Sequence, residues 1–106
     1  MTTIYVAGPM TGYPGFNYPA FHAAATELRV LGYAVENPAE NPRPTSDPWV
    51  DFMRDALAQV IRSDAVALLP GWEQSRGAQL EERVARALGL DIRPLNAWIE
   101  APAWPS

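Results

Sequence analysis

Short apolar runs alternate with segments of helical periodicity along most of this chain of 106 residues. The apolar runs lie at 2–7, 33–36, 64–69 and 91–95, and the helical segments at 19–31, 48–61 and 77–88. A strand followed by a helix and another strand folds into a parallel sheet, because the helix carries the chain back across one face. The alternation therefore predicts an α/β fold: a small flavodoxin-like or Rossmann-like three-layer sandwich with a parallel sheet of about four strands.

The apolar positions within each helical segment predict which side chains enter the core. The expected core residues are Phe21, Ala24, Ala25, Leu28 and Leu31 in the first helix, Phe52, Met53, Ala56, Val60 and Ile61 in the second, and Leu80, Val84, Ala87 and Leu88 in the third. Asn17 or Tyr18 is expected to cap the first helix, and Asp47 followed by Pro48 to begin the second. Gly32 and Gly89 have the positions of helix C-terminal residues.

Two glycine-containing loops follow the first and third predicted strands. The first is Gly8-Pro9-Met10-Thr11-Gly12, and the second leads through Ser75 and Gly77 into the third helix. In a flavodoxin-like sheet, ligands bind where the strand order reverses, between the first and third strands. The start of the third helix offers a hydroxyl and unpaired backbone N–H groups, which suit an anion. The two loops therefore predict a crevice with an anion subsite.

Composition excludes several kinds of chemistry. The chain has no Cys and a single His, His22, so thiolate metal sites, cysteine nucleophiles, histidine clusters and a Ser-His triad are not expected. All eight basic residues are Arg, which excludes a Schiff-base lysine or a P-loop lysine. The formal charge of −4 argues against nucleic-acid binding. We expect no metal and no cofactor.

The chain lacks a run of 18 apolar residues and the charged start of a signal peptide. We therefore expect a cytoplasmic protein that does not interact with membranes. The predicted organisation is one α/β domain over residues 1–95 and a Trp/Pro-rich C-terminal tail over residues 96–106. This tail is expected to pack on its own domain or on a partner subunit. The proline-rich segment 37–48 is expected to be a long connecting loop, and such loops are often functional.

With His, Cys and Lys excluded, carboxylates and tyrosine remain as catalysts. Glu81 lies near the start of the third helix and is expected to project toward the crevice while Leu80 and Val84 face the sheet. Together with Asp55 and Tyr5 it fits displacement at an anomeric carbon by a carboxylate nucleophile and an acid.

Structural roles remain possible for the same residues. Glu81 could be a surface acid, and Asp55 could pair with Arg54 or Arg62. Tyr5 could be a core residue, Ser75 an ordinary helix cap, and His22 a structural or surface residue.

An ordered set of motifs resembles the nucleoside 2-deoxyribosyltransferase-like family. The set comprises Tyr5-Val6-Ala7-Gly8-Pro9-Met10, then Asp55 ahead of Asp64-Ala65-Val66-Ala67, then Ser75-x-Gly77-x-x-x-Glu81. Within that family the chain is particularly similar to small proteins often encoded by phages and prophages. These share the continuation to Thr11-Gly12, Phe16-Asn17, Asn37-Pro38-Ala39-Glu40, and Leu69-Pro70-Gly71-Trp72 leading to Ser75-Arg76-Gly77-Ala78. The similarity spans residues 4 to about 93.

The resemblance implies an enzyme that exchanges bases on deoxyribose or hydrolyses 2′-deoxynucleoside 5′-monophosphates. It implies Glu81 as the nucleophile, Asp55 as the acid that assists the leaving base, and Tyr5 as the residue that orients Glu81. It further implies that Ser75 and Gly77 hold the phosphate. The residues implied to contact the nucleotide are Gly8, Pro9, Met10, Thr11, Gly12 and Asn17. A homodimer or higher homo-oligomer is also implied.

Three departures from that pattern leave alternatives open. The spacing from Asp55 to Asp64 is one residue longer than in the hydrolases, so Asp51 is an alternative acid. Glu73 and Glu82 add negative charge near Glu81, which would raise its proton affinity. The C-terminal region is also shorter. The leading hypothesis is a nucleotide N-glycosidase, and the alternatives are a non-catalytic protein that senses or sequesters a nucleotide, or a subunit whose tail docks a partner.

Overall fold

The computed structural model describes residues 1–42 and 48–100. Its strands are β1 (Thr3–Ala7), β2 (Ala34–Glu36), β3 (Ala65–Leu68) and β4 (Asp91–Pro94), and its helices are α1 (Tyr18–Val30), α2 (Pro48–Ile61), α3 (Arg76–Ala87) and α4 (Leu95–Glu100). Short 3₁₀ turns occupy Pro14–Asn17, Pro38–Glu40 and Trp72–Gln74. The predicted cap Asp47 and the tail residues Pro102, Trp104 and Pro105 lie outside the described residues.

The four strands form one parallel sheet with the order β2-β1-β3-β4. β1 pairs with β2 on one side and β3 on the other, so the strand order reverses between β1 and β3. This is the order of a flavodoxin-like sheet, and it confirms the predicted α/β class. The loops that follow β1 and β3 therefore meet at the carboxyl edge of the sheet.

Alternation along the strands divides the core into two layers. Ile4 and Val6 face a cluster that contains Phe21 and Leu28 of α1 together with Trp98 of α4. Tyr5 and Ala7 point to the opposite side, against α2 and α3; the other members of this second cluster are Ala56, Val60, Val66, Leu68 and Ala85. The sheet thus has helices on both faces, as the three-layer prediction requires.

Several residues at the ends of the helices were predicted to be in the core, and they are exposed instead. Leu31, Ile61 and Leu88 are 41%, 63% and 52% exposed, and Ala87 is exposed as well. The 14 residues of α2 extend about 21 Å, whereas the five residues of β1 extend about 17 Å. The helices are longer than the strands they cover, and the predicted core residues at their last turns are exposed.

The segment after β4 forms part of the domain. Trp98 in α4 is 2% exposed, and its Nε1 donates a hydrogen bond to the carbonyl oxygen of Val66 at 3.0 Å. Arg93 lies over the Trp98 ring, 4.3 Å from its centroid, and Tyr33 packs edge-on against it. The expected packing on the chain's own domain is therefore confirmed for Trp98, and α4 runs across the predicted boundary at residue 95.

Candidate active site

A buried hydrogen bond joins β1 to α3. The Tyr5 hydroxyl donates to Oε2 of Glu81 at 2.6 Å, across 76 positions of sequence. Tyr5 is fully buried and Glu81 is 4% exposed. A short bond between a phenol and a carboxylate fixes the orientation of the carboxyl group. The expectation that these two residues act together has a geometric basis.

Burial controls the protonation of this pair. Burial raises the pKa of Glu81 to about 8, and the hydrogen bond from Tyr5 counteracts part of that rise. Burial also raises the pKa of Tyr5 well above its usual range, and the negative charge of Glu81 adds to the effect. Tyr5 therefore remains a hydrogen-bond donor, while Glu81 changes its charge near neutral to mildly alkaline pH.

Glu81 reaches Tyr5 because its neighbours on the same helix face are small. Ala78, Glu81 and Ala85 are the buried residues of α3, and they recur at helical spacing. Leu80 and Val84, predicted to face the sheet, are partly buried, and Val84 packs against the core cluster that contains Tyr5 and Ala7. A count of apolar residues does not predict that Glu81 is buried beside them, because its burial depends on a specific hydrogen bond.

The loop after β1 approaches β3 closely. A Cβ atom on Gly8 would lie 2.7 Å from Cβ of Leu69, the residue that follows β3. Asn17 does not cap α1 through its side chain; its Nδ2 donates to the carbonyl oxygen of Pro9 at 3.0 Å. Phe16 and Asn17 both have left-handed backbone angles, with φ of 53° and 60°. Such angles cost about 1–3 kcal/mol for residues other than glycine, so this bond helps to hold a strained turn.

The turn after β3 leads directly into α3. Ser75 Oγ accepts a hydrogen bond from the backbone N–H of Ala78 at 3.2 Å, so it has the structural role of an N-cap. Gly77 packs against α2, where an added Cβ would lie 3.1 Å from Sδ of Met53. Residues in the first turn of a helix keep backbone N–H groups without helical partners, which suits an anion.

A cavity of about 670 Å³ lies between these two loops, α2 and the start of α3. It is lined by Gly8, Pro9, Met10, Thr11, Tyr13, Phe16, Tyr18, Phe21, Pro38, Pro42, Trp49, Phe52, Met53, Gly71, Gln74, Ser75, Arg76, Gly77, Ala78 and Glu81. Aromatic and other apolar side chains predominate, with a few polar groups, as in sites for small organic ligands. The volume is in the range of roughly 300–1,000 Å³ that such sites have.

The cavity unites most of the predicted site residues. Seven of them line it, namely Gly8, Pro9, Met10, Thr11, Ser75, Gly77 and Glu81, and Tyr5 contacts it through Glu81. Gly12, Asn17 and Asp55 are not among the lining residues. Asp55 is exposed on α2, two positions along from the cavity-lining Met53, and two residues of a helix differ by about 200° in direction. Its role as the acid stays a prediction, as does that of half-buried Asp51.

Several lining residues were not among the site residues predicted from the sequence. These are Tyr13, Phe16, Tyr18, Trp49, Phe52, Met53, Gln74 and Arg76. Phe52 and Met53 were predicted to be core residues. Helical periodicity identifies an apolar face of a helix, but it does not show whether that face packs in the core or lines a cavity. Trp49 comes one turn before Met53, and this spacing was the available signal that it shares the same face.

Within residues 1–42 and 48–100, no group of three or more His, Asp and Glu side chains is positioned to hold a metal ion. Nor does any helix in those ranges have the length and apolar character to cross a membrane.

Known proteins define the class of this fold. A solved structure described as a 2-desoxiribosyltransferase from Leishmania mexicana superposes with a TM-score of 0.69 at 20% sequence identity. The superposition covers 89% of this chain and 63% of the other, so the chain spans less than two thirds of that protein's length. The chain therefore has a deoxyribosyltransferase-like α/β fold.

The sequence itself belongs to the family described as a domain of unknown function, DUF4406, whose model matches residues 2–93. No curated protein matches the chain at a significant level.

Proposed function

We propose that the protein is a nucleotide N-glycosidase that cleaves the bond between base and sugar in a (deoxy)nucleoside 5′-monophosphate, with Glu81 as nucleophile. The observation that carries the proposal is the buried Tyr5–Glu81 pair, bonded at 2.6 Å, in the wall of a large cavity. A buried carboxylate with a strongly raised pKa in a cavity is typical of a catalytic group.

The other walls of the cavity support a nucleotide as ligand. Aromatic side chains line the cavity, Phe52 among them, and a base can stack on such a ring. The first turn of α3 offers hydrogen-bond donors to a phosphate, beside the hydroxyl of Ser75. The solved structure with the same fold is named as a deoxyribosyltransferase, which adds support for chemistry at a sugar–base bond.

The proposed reaction has two steps. An ionised Glu81 oxygen forms a bond to C1′ while the C1′–N bond breaks, and the base leaves with that electron pair and takes up a proton from solvent. Water then attacks C1′ and gives one proton to solvent, the bond from C1′ to Glu81 breaks to release the carboxylate, and the sugar phosphate leaves with the new hydroxyl group. Tyr5 holds the carboxylate in position throughout, and the negative charge of Glu81 stabilises the positive charge that develops on the sugar.

Base release tests the proposal. Purified protein is incubated with a panel of ribo- and deoxyribonucleosides and their 5′-monophosphates, and free base is quantified by chromatography. We expect at least one monophosphate to be cleaved, and Glu81→Gln to lower kcat by about a thousandfold or more while the fold is retained.

Glu82→Gln is the matched control. It removes the neighbouring carboxylate, which is bound to Arg86 rather than placed in the cavity wall, and should leave kcat unchanged. A panel left intact at high enzyme concentration contradicts the proposal.

A second candidate function is a non-catalytic nucleotide-binding protein. The raised pKa of Glu81 favours it, since a carboxyl group with a pKa of about 8 is mostly neutral at pH 7. A neutral Glu81 would then serve as a binding group. Calorimetry separates the two functions: tight binding that Glu81→Gln leaves unchanged, without turnover, favours the binding protein.

A further inference from the structure

Two charged side chains line the described part of the cavity, and they lie on one helix. Arg76 is in the first turn of α3 and Glu81 follows five residues later. Five residues of helix correspond to a rise of about 7.5 Å. A positive and a negative side chain from one helix thus line the same cavity.

Arg76 is held against an aromatic wall. Its Cζ lies 4.0 Å from the centroid of the Trp49 ring, and Trp49 comes from the first turn of α2. A guanidinium that stacks on a ring uses its face, while the N–H donors at its edge remain available. The stack therefore limits the motion of Arg76 without occupying its hydrogen-bonding groups.

Four of the described arginines form ion pairs on the surface, and Arg76 is not one of them. Arg29, Arg62, Arg86 and Arg93 each form an ion pair with a carboxylate at 2.7–3.1 Å. No described carboxylate pairs with Arg76, although it is exposed to the cavity. Its positive charge is therefore available to a ligand.

We infer that Arg76, positioned by Trp49, is the residue that makes the cavity prefer a nucleoside 5′-monophosphate over the corresponding nucleoside. The planar fork of a guanidinium matches two oxygens of a phosphate, and such charge-assisted pairs are strong. This inference rests on the proposed function for its choice of a nucleotide as ligand. It adds the group that recognises charge, in a chain without lysine.

Binding measurements test this role apart from catalysis. The probes are the four common 2′-deoxynucleoside 5′-monophosphates and their parent nucleosides, titrated by calorimetry into wild-type protein and variants. We expect Arg76→Met to weaken monophosphate binding by about 10- to 100-fold and to leave nucleoside binding unchanged. Arg76→Lys keeps the charge but loses the fork, and is expected to bind the monophosphate with intermediate affinity.

Arg83→Met is the matched control, because Arg83 is an exposed arginine of the same helix that does not line the cavity. It should bind both ligands like the wild type. The wild-type preference for the monophosphate should also decrease as salt is raised, because an exposed charge is screened. Circular dichroism and thermal unfolding check that Arg76→Met is folded.

The outcomes separate this inference from the proposed function. A preference that depends on Arg76 without any base release supports the inference and rejects the glycosidase. Base release in which Arg76→Met lowers kcat/KM equally for a nucleoside and its monophosphate supports the glycosidase and rejects the role of Arg76. Equal weakening of both ligands, no effect on either, or no binding of any monophosphate also overturns the inference.

Discussion

At the scale of single residues, Glu81 has two properties that oppose one another. A nucleophile must be ionised, yet burial raises its pKa to about 8. The hydrogen bond from Tyr5 lowers that pKa and so favours the ionised form. Tyr5 is therefore expected to control how much of the enzyme is active at neutral pH, in addition to holding the carboxylate in place.

The pH dependence of kcat/KM checks this role. For wild-type protein, kcat/KM for a cleaved monophosphate should rise with pH, about tenfold per unit, and level off above a pH near 8 as Glu81 ionises. Tyr5→Phe removes the bond that stabilises the carboxylate, so the rising limb should move up by about one pH unit. If the rising limb of the pH profile is at the same pH in Tyr5→Phe as in the wild type, Tyr5 does not control the ionisation of Glu81. Tyr33→Phe is the control, because Tyr33 lies outside the cavity.

At the scale of elements, the site depends on how closely the loops after β1 and β3 approach. Gly8 and Leu69 are in contact where the strand order reverses, and no side chain fits between them. The sequence predicted the crevice, because it showed the two loops. It did not predict how closely Gly8 and Leu69 approach, because that distance depends on the pairing of β1 with β3.

Gly8→Ala tests that approach. Its Cβ would lie 2.7 Å from Leu69 Cβ and 2.9 Å from Leu69 Cδ1, so the strand ends must separate. We expect a loss of about 1–3 kcal/mol in unfolding free energy, together with weaker ligand binding, because the loops also line the cavity.

Gly32→Ala is the control for strain alone. Gly32 has φ of +98° at the end of α1, nothing lies within 4 Å of its added Cβ, and it is not a cavity residue. This variant should lose stability without losing ligand affinity. Urea unfolding measures the loss of stability, and calorimetry measures ligand affinity. Unchanged ligand binding in Gly8→Ala would contradict the expectation.

At the scale of the whole molecule, the buried carboxyl group makes folding depend on pH. Glu81 has a pKa of about 8 when folded and about 4.5 in its unperturbed state, so the folded protein binds the extra proton between these values. Its contribution to stability is therefore fully present below about pH 4.5 and is lost as pH rises through 8. Glu36 and Glu40 have lowered pKa values, so their contributions are lost instead as pH falls.

Glu81→Gln should remove most of this dependence. Between pH 5 and pH 8.5 the wild-type protein is expected to lose on the order of 4 kcal/mol of unfolding free energy through this group. The glutamine variant should lose much less, and should be the more stable of the two at pH 8.5.

Urea unfolding at a series of pH values measures the difference, and Glu82→Gln is the control. Parallel pH profiles of unfolding free energy for wild type and Glu81→Gln would contradict the buried, proton-binding state of Glu81.

Local patterns in the sequence determined the order of elements, the parallel sheet and the identity of Glu81, Tyr5 and the two glycine loops as candidates. They could do so because strand alternation, helical spacing and turn residues depend on neighbours in the chain. Only the tertiary structure decided that Glu81 is buried against Tyr5, that Asp55 is exposed, and that Arg76 stacks on Trp49 in the cavity. Each of these depends on groups far apart in sequence, whose distances are set by the packing of α2 and α3 on the sheet.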